Sequence, residues 1–95
     1  MRLGTVIGSV WSTRKNDKLT GIKLLIIRPI NICNKDEKIC PIIAADQIGA
    51  GIGETVLMVG GSSARMLFGD QQTPIDTAVI GIVDDKELDD KPTEL

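Results

Sequence analysis

The 95-residue chain has no histidine and no tyrosine. Without histidine it lacks the usual general base, the commonest metal ligand and the side chain that titrates near neutrality. Its aromatic content is one tryptophan and one phenylalanine, 2 % of residues. Any core is therefore aliphatic, and a platform for stacking nucleobases has little to draw on. No apolar run approaches the ~18 residues of a membrane span. The N-terminus alternates where a signal peptide would run apolar. The expectation is a soluble chain in a cytosol, with reduced thiols at Cys33 and Cys40. Two cysteines without histidine fall short of a zinc site, so neither a metal nor a cofactor is expected.

Net charge is also small over most of the chain. The formal net charge is −2. Residues 84–95 hold six acids and two lysines, a net of −4, and the other 83 residues hold nine bases and seven acids, a net of +2. A nearly neutral body is a poor nucleic-acid binder. The acidic end reads as a solvated terminus.

What is present is 42 % apolar and 25 % charged, an ordinary balance for one globular domain. Residues 2–12 alternate with a period near two and predict a long curved strand with a bend near Gly4. Residues 13–18 are a polar connection. Further strands are predicted over residues 23–30, 40–45, 55–59 and 77–83. Pro29 belongs at a strand end, because it cannot donate to a ladder. Residues 62–68 predict one or two helical turns, with Ser62 or Ser63 as N-cap and Gly69 as the stop. Residues 31–38 and 69–74 read as loops. Five short strands with glycines at the corners point to a small closed barrel. Gly4, Gly8, Gly60 and Gly81 are expected to relieve crowding where strands bend.

The densest feature is the stretch from Asp46 to Glu54, Asp-Gln-Ile-Gly-Ala-Gly-Ile-Gly-Glu, followed by Gly60-Gly-Ser-Ser-Ala-Arg65. A dinucleotide fingerprint needs G-x-G-x-x-G opening a helix. Here Gly49, Gly51 and Gly53 are spaced G-x-G-x-G, and a strand follows. A Walker loop needs a terminal Gly-Lys-Ser/Thr, which is missing. The phosphate-loop reading is therefore rejected for a tight loop that needs positive φ or close backbone approach. Ser62 and Ser63 have no histidine to activate them as nucleophiles. Asp46, Asp76 and Asp84 border strands, where turn and capping roles are commoner than acid–base work. Arg65 reads as a surface arginine or one that ties loops or subunits together.

Taken together, Gly4-x-Val6-x-Gly8-x-Val10, Leu19-x-Gly21-x-Lys23-Leu-Leu25, the segment from Ala45 to Leu57, Gly61-Ser-Ser-Ala-Arg65, and Ile75-Asp76-x-Ala78 through Asp84 resemble the EutN/CcmL family of bacterial microcompartment vertex proteins. The resemblance covers residues 1–84 and leaves 85–95 as an acidic tail. It implies an all-β fold, a five-stranded barrel of the oligonucleotide-binding type with a short helix between strands four and five. It implies a structural, non-enzymatic role. Homopentamers would plug the five-fold vertices of a shell tiled by hexameric proteins, with neither nucleic acid nor membrane as partner. Carried over by motif, Asp46, Gly49, Ala50, Gly51, Gly53, Ser62, Ser63 and Arg65 are expected at the subunit interface. The short ending and Gly60-Gly61 look more like vertex proteins of catabolic metabolosomes than of carboxysomes. The competing reading is a barrel that binds single-stranded nucleic acid, with Trp11 and Phe68 as its available aromatics.

Overall fold

In the computed structural model, residues 1–11, 19, 21–34, 36–69 and 74–84 are described. The expected polar connection at 13–18, most of the 69–74 loop and the acidic tail at 85–95 lie outside them. The elements are β1 (Arg2–Val10), β2 (Lys23–Pro29), β3 (Ile42–Asp46), β4 (Thr55–Gly60), α1 (Gly61–Leu67) and β5 (Thr77–Val83). The strands close into a barrel in the order β1-β2-β3-β5-β4, with β4 pairing back to β1. This is the expected five-stranded barrel with one short helix between strands four and five.

The alternation of each strand explains why closure works. In β2, Leu25, Ile27 and Pro29 are buried while Leu24, Ile26 and Arg28 are half-covered. The nearly continuous apolar run thus serves two faces of one strand. Val6, Leu25, Ile27, Ala44, Ala50, Val56, Met58 and Val79 form the core cluster. It holds no aromatic side chain, as the composition required. The barrel closes through a short parallel ladder in which Ala45 faces Ala78 and Asp46 faces Val79. Ala44, Ala45 and Ala78 are each buried to 1 % exposure or less, and their small side chains fit the tight interior of a five-stranded barrel.

Three expectations are corrected. The irregularity in β1 lies at Ile7, not Gly4: Val6 faces Ile27 and Gly8 faces Ile26, which leaves Ile7 as the extra residue. The reason is a change of partner. Residues Arg2 to Thr5 pair with β4, whereas Val6 donates to the Glu54 carbonyl (2.9 Å) and accepts from the Gly53 N–H (2.8 Å). Gly4 stays in register, facing Pro29 and Val56, and an added Cβ there would collide with Ile27 Cγ2 and lie 2.9 Å from Met58 Cε. Its smallness answers close packing inside the barrel. A Cβ at Gly60 would likewise be tight, 3.2 Å from the Asp76 carbonyl, whereas one at Gly8 would make only ordinary contacts and one at Gly81 would face open space.

The second correction is the helix start. The N-cap is Gly60, in extended conformation and with no side-chain cap bond. β4 runs straight into α1, and the Gly61 N–H is satisfied by the Asp76 carbonyl at 2.8 Å. Ser62 and Ser63 therefore sit exposed within the first turn. The stop is as expected: α1 ends at Leu67, and Gly69 has φ 127°. Third, β3 begins at Ile42 and not Cys40, since Pro41 has no N–H to give to the ladder.

Candidate functional site

The sequence from Asp46 to Glu54 links β3 to β4 across one end of the barrel. Asp46 is the last residue of β3 and is only 3 % exposed. A buried carboxylate requires compensating donors, and the loop that follows supplies them. The Ile48 N–H donates to Oδ1 at 2.7 Å, the Ala50 N–H to Oδ2 at 2.8 Å, and the Gly49 N–H reaches both oxygens at 3.3 and 3.2 Å. Three successive backbone donors thus converge on one side chain, the short-range capping that aspartate favours in turns. Lys23, opposite Asp46 in the β2–β3 ladder, donates its Nζ to the Ala50 carbonyl at 3.2 Å.

The second half of the loop is equally fixed. Glu54 Oε1 accepts from the Gly51 N–H at 2.6 Å, and the Glu54 N–H donates to the Gly51 carbonyl at 3.1 Å. Gly49 and Gly53 have φ of 99° and 92°, a region that other L-residues rarely adopt. Ala50 is fully buried and belongs to the core cluster, so the loop is plugged into the barrel from below. Around this rigid frame two aliphatic side chains point to solvent: Ile48 is 51 % and Ile52 73 % exposed.

The eight residues expected at an interface separate into different roles. Asp46 and Ala50 are interior to the single chain and hold the loop's shape. Gly49, Gly53, Ser62 and Ser63 are exposed, and Gly51 and Arg65 are half-buried. The glycine loop and the Ser62–Arg65 turn are not brought together within one chain. Five residue steps of β4 separate Thr55 from Gly60, about 17 Å at strand rise. Sequence reasoning missed Ile48, Ile52, Lys23 and Glu54 as parts of this site. The signal for the first two was available, as isolated aliphatics between glycines in a loop. Among the described residues no three His, Cys, Asp or Glu side chains group as a metal site. Asp76 and Asp84 are exposed at the ends of β5, and the Asp76 carbonyl serves the helix start.

This geometry is a structural frame: a buried anchor, a shaped loop and apolar knobs. The model of the family described as ethanolamine utilisation protein EutN/carboxysome matches residues 1–84. The chain belongs to the EutN/CcmL family. It is 45 % identical over 92 residues to the bacterial microcompartment shell vertex protein PduN of Salmonella typhimurium, covering 88 % of this chain and 96 % of that one. It is 38 % identical over 96 residues to the carboxysome shell vertex protein CcmL of Gloeobacter violaceus, covering 97 % and 91 %. The solved pentameric shell protein GrpN of Rhodospirillum rubrum superposes with a TM-score of 0.78 at 43 % identity, covering 93 % of this chain and 99 % of GrpN. Vertex proteins of carboxysomes and of other microcompartments both match, so identity does not separate the two compartment types.

Proposed function

We propose that this EutN/CcmL chain is a structural shell protein that assembles as a homopentamer and caps the five-fold vertices of a bacterial microcompartment. The observation that carries this reading is the likeness, over nearly the whole of both chains, to a shell protein described as pentameric. A flat hexagonal sheet cannot close, and pentagonal corners inserted among hexameric shell proteins supply the curvature. A ring of five identical barrels forms through one heterologous contact that closes by rotation. The glycine loop and the Ser62–Arg65 turn fit such a contact as two different surfaces, one at each end of β4. On this reading Gly49, Gly51, Gly53, Ser62, Ser63 and Arg65 lie at or near the contact, with Asp46 and Ala50 shaping it from within. The role is structural and not catalytic. The protein resides in the cytoplasm, in the compartment shell.

Native mass spectrometry tests the ring directly. Five chains of 10.2 kDa give a species of about 51 kDa; monomer or dimer alone at micromolar concentration would overturn it. Shells produced without the protein are expected to stay open or elongated, and normal closed polyhedra would remove the vertex role. The preference for a catabolic metabolosome rests on Gly60-Gly61. It is tested by whether a catabolic signature enzyme or a carboxylase is encoded beside the hexameric shell proteins. Nothing favours the nucleic-acid reading. Trp11 is 93 % exposed at the end of β1, whereas Phe68 is half-buried at the end of α1, and the two do not form a stacking platform.

A further inference from the structure

A ring that closes by rotation requires two unlike, complementary patches on each subunit, and the barrel presents such a pair. The first is convex. Ile48 and Ile52 project from a loop fixed by the Asp46 and Glu54 hydrogen bonds. Apolar groups held rigidly in place lose little freedom on association. The second is concave, a groove of about 370 Å³ lined by Leu3, Leu57, Ile30, Ile32 and Ile39 together with Arg2. Leu3 and Leu57 are cross-strand partners on the barrel wall. The opposite wall belongs to the β2–β3 connection, which is also held. Asn31 Oδ1 accepts from the Cys33 and Asn34 N–H groups at 2.9 and 3.2 Å, and Arg28 Nη1 donates to the Ile39 carbonyl at 3.3 Å.

Charge matches as well. The loop carries an exposed carboxylate at Glu54 and the groove a guanidinium at Arg2. Among the described residues neither belongs to an ion pair. The two patches lie toward opposite ends of the barrel. The groove is at the end where Arg2 faces Met58, and the loop is at the end where Lys23 faces Asp46. A subunit cannot fill its own groove with its own loop.

We infer that Ile48 and Ile52 of one subunit seat in the Leu3–Leu57 groove of the next, with Glu54 facing the neighbouring copy's Arg2. The occupant of the groove is a second copy of this chain. This rests on the pentameric reading above and names its contact.

Disulfide trapping tests it. The variant Cys33→Ser/Cys40→Ser/Ile52→Cys/Ile32→Cys, gently oxidised, is expected to give a covalent ladder that stops at five chains, whereas Ile52→Cys alone in the same background gives none. The substitution Ile52→Asp, at a position 73 % exposed, is expected to leave the barrel folded and weaken pentamer association at least about tenfold, as loss of an interface anchor does. A native pentamer that yields no ladder, or unchanged association in Ile52→Asp, overturns the contact and leaves the ring intact. Covalent dimers from Ile52→Cys alone also overturn it, since they would bring like patches together. Absence of a native pentamer in the unaltered protein removes the ring itself.

Discussion

Replacing Asp46 probes the frame on which both the barrel and its proposed contact depend. In Asp46→Ala the N–H groups of Ile48, Gly49 and Ala50 lose their acceptor. The three losses are unequal. Ile48 and Gly49 are exposed, and their donors turn to water, which recovers most of the bond. Ala50 is fully buried, and its donor has no such recourse. A hydrogen bond to a charged acceptor contributes about 1.5–3 kcal/mol, and a stranded buried donor costs about 1–3 kcal/mol. Taking the Ala50 bond in full and a fraction of the others, the expected loss is about 2–4 kcal/mol. For a chain of this length that is a fall in Tm of roughly 10–25 °C.

Asp46→Asn refines the test. The amide keeps one acceptor oxygen but turns an NH₂ toward a backbone N–H, so it cannot serve both Ile48 and Ala50. It is expected to fall between wild type and Ala. Thermal and urea unfolding of the three proteins, at one fixed protomer concentration because assembly adds to apparent stability, decide the matter. Losses below about 0.5 kcal/mol in both variants, the range of neutral surface changes, would refute the reasoning, because the carboxylate would then not be holding the loop.

Other substitutions follow from the packing. Gly4→Ala is expected to destabilise by about 1–3 kcal/mol through overpacking against Ile27 and Met58, whereas Gly81→Ala, facing open space, is expected to be neutral or stabilising by up to about 1 kcal/mol; denaturant midpoints compare the pair. Gly53→Ala places a side chain at φ 92° and is expected to cost about 1–2 kcal/mol, read in the same way. Met58→Ala, at a position 1 % exposed, is expected to cost about 2–5 kcal/mol. Cys33 and Cys40 are exposed free thiols, so the double serine variant is expected to unfold within about 0.5 kcal/mol of wild type, with or without reductant.

Much of the fold was legible because strand alternation and aliphatic composition speak to the same faces. β5 spans the expected 77–83, and the other strands differ from expectation by a residue or two at their ends. What alternation could not locate was the irregularity in β1. Its position is set by a partner distant in sequence, the loop that takes over the Val6 hydrogen bonds from β4, and no local pattern in residues 2–12 records that exchange. The helix start was missed for a related reason. Serine is the better local N-cap, but β4 continues to Gly60 and the Gly61 N–H pairs with the Asp76 carbonyl, fifteen residues further on, so the helix begins before either serine. In both cases long-range backbone pairing displaced a short-range preference.

The same distinction reorganises the glycine loop. From sequence, its glycines looked like the points of contact, since they permit close approach. In the fold, Gly49 and Gly53 are chiefly the means by which the chain turns while three donors reach Asp46, and Ala50 is held in the core as a consequence. Flexibility of composition produces rigidity of conformation. The residues left outward by that construction are Ile48 and Ile52, which are the wrong chemistry for a solvent-exposed loop and the right chemistry for a covered one. β4 then fixes where the loop stands relative to Gly60, Gly61 and the groove, because its six residues join the two ends of the barrel. A slip of that strand by one position would turn Val56 and Met58 out of the core. It would also change the separation of the two patches that neighbouring subunits have to match. Core register and ring geometry are therefore constrained by the same short strand, and a substitution that loosens β4 is expected to weaken both together.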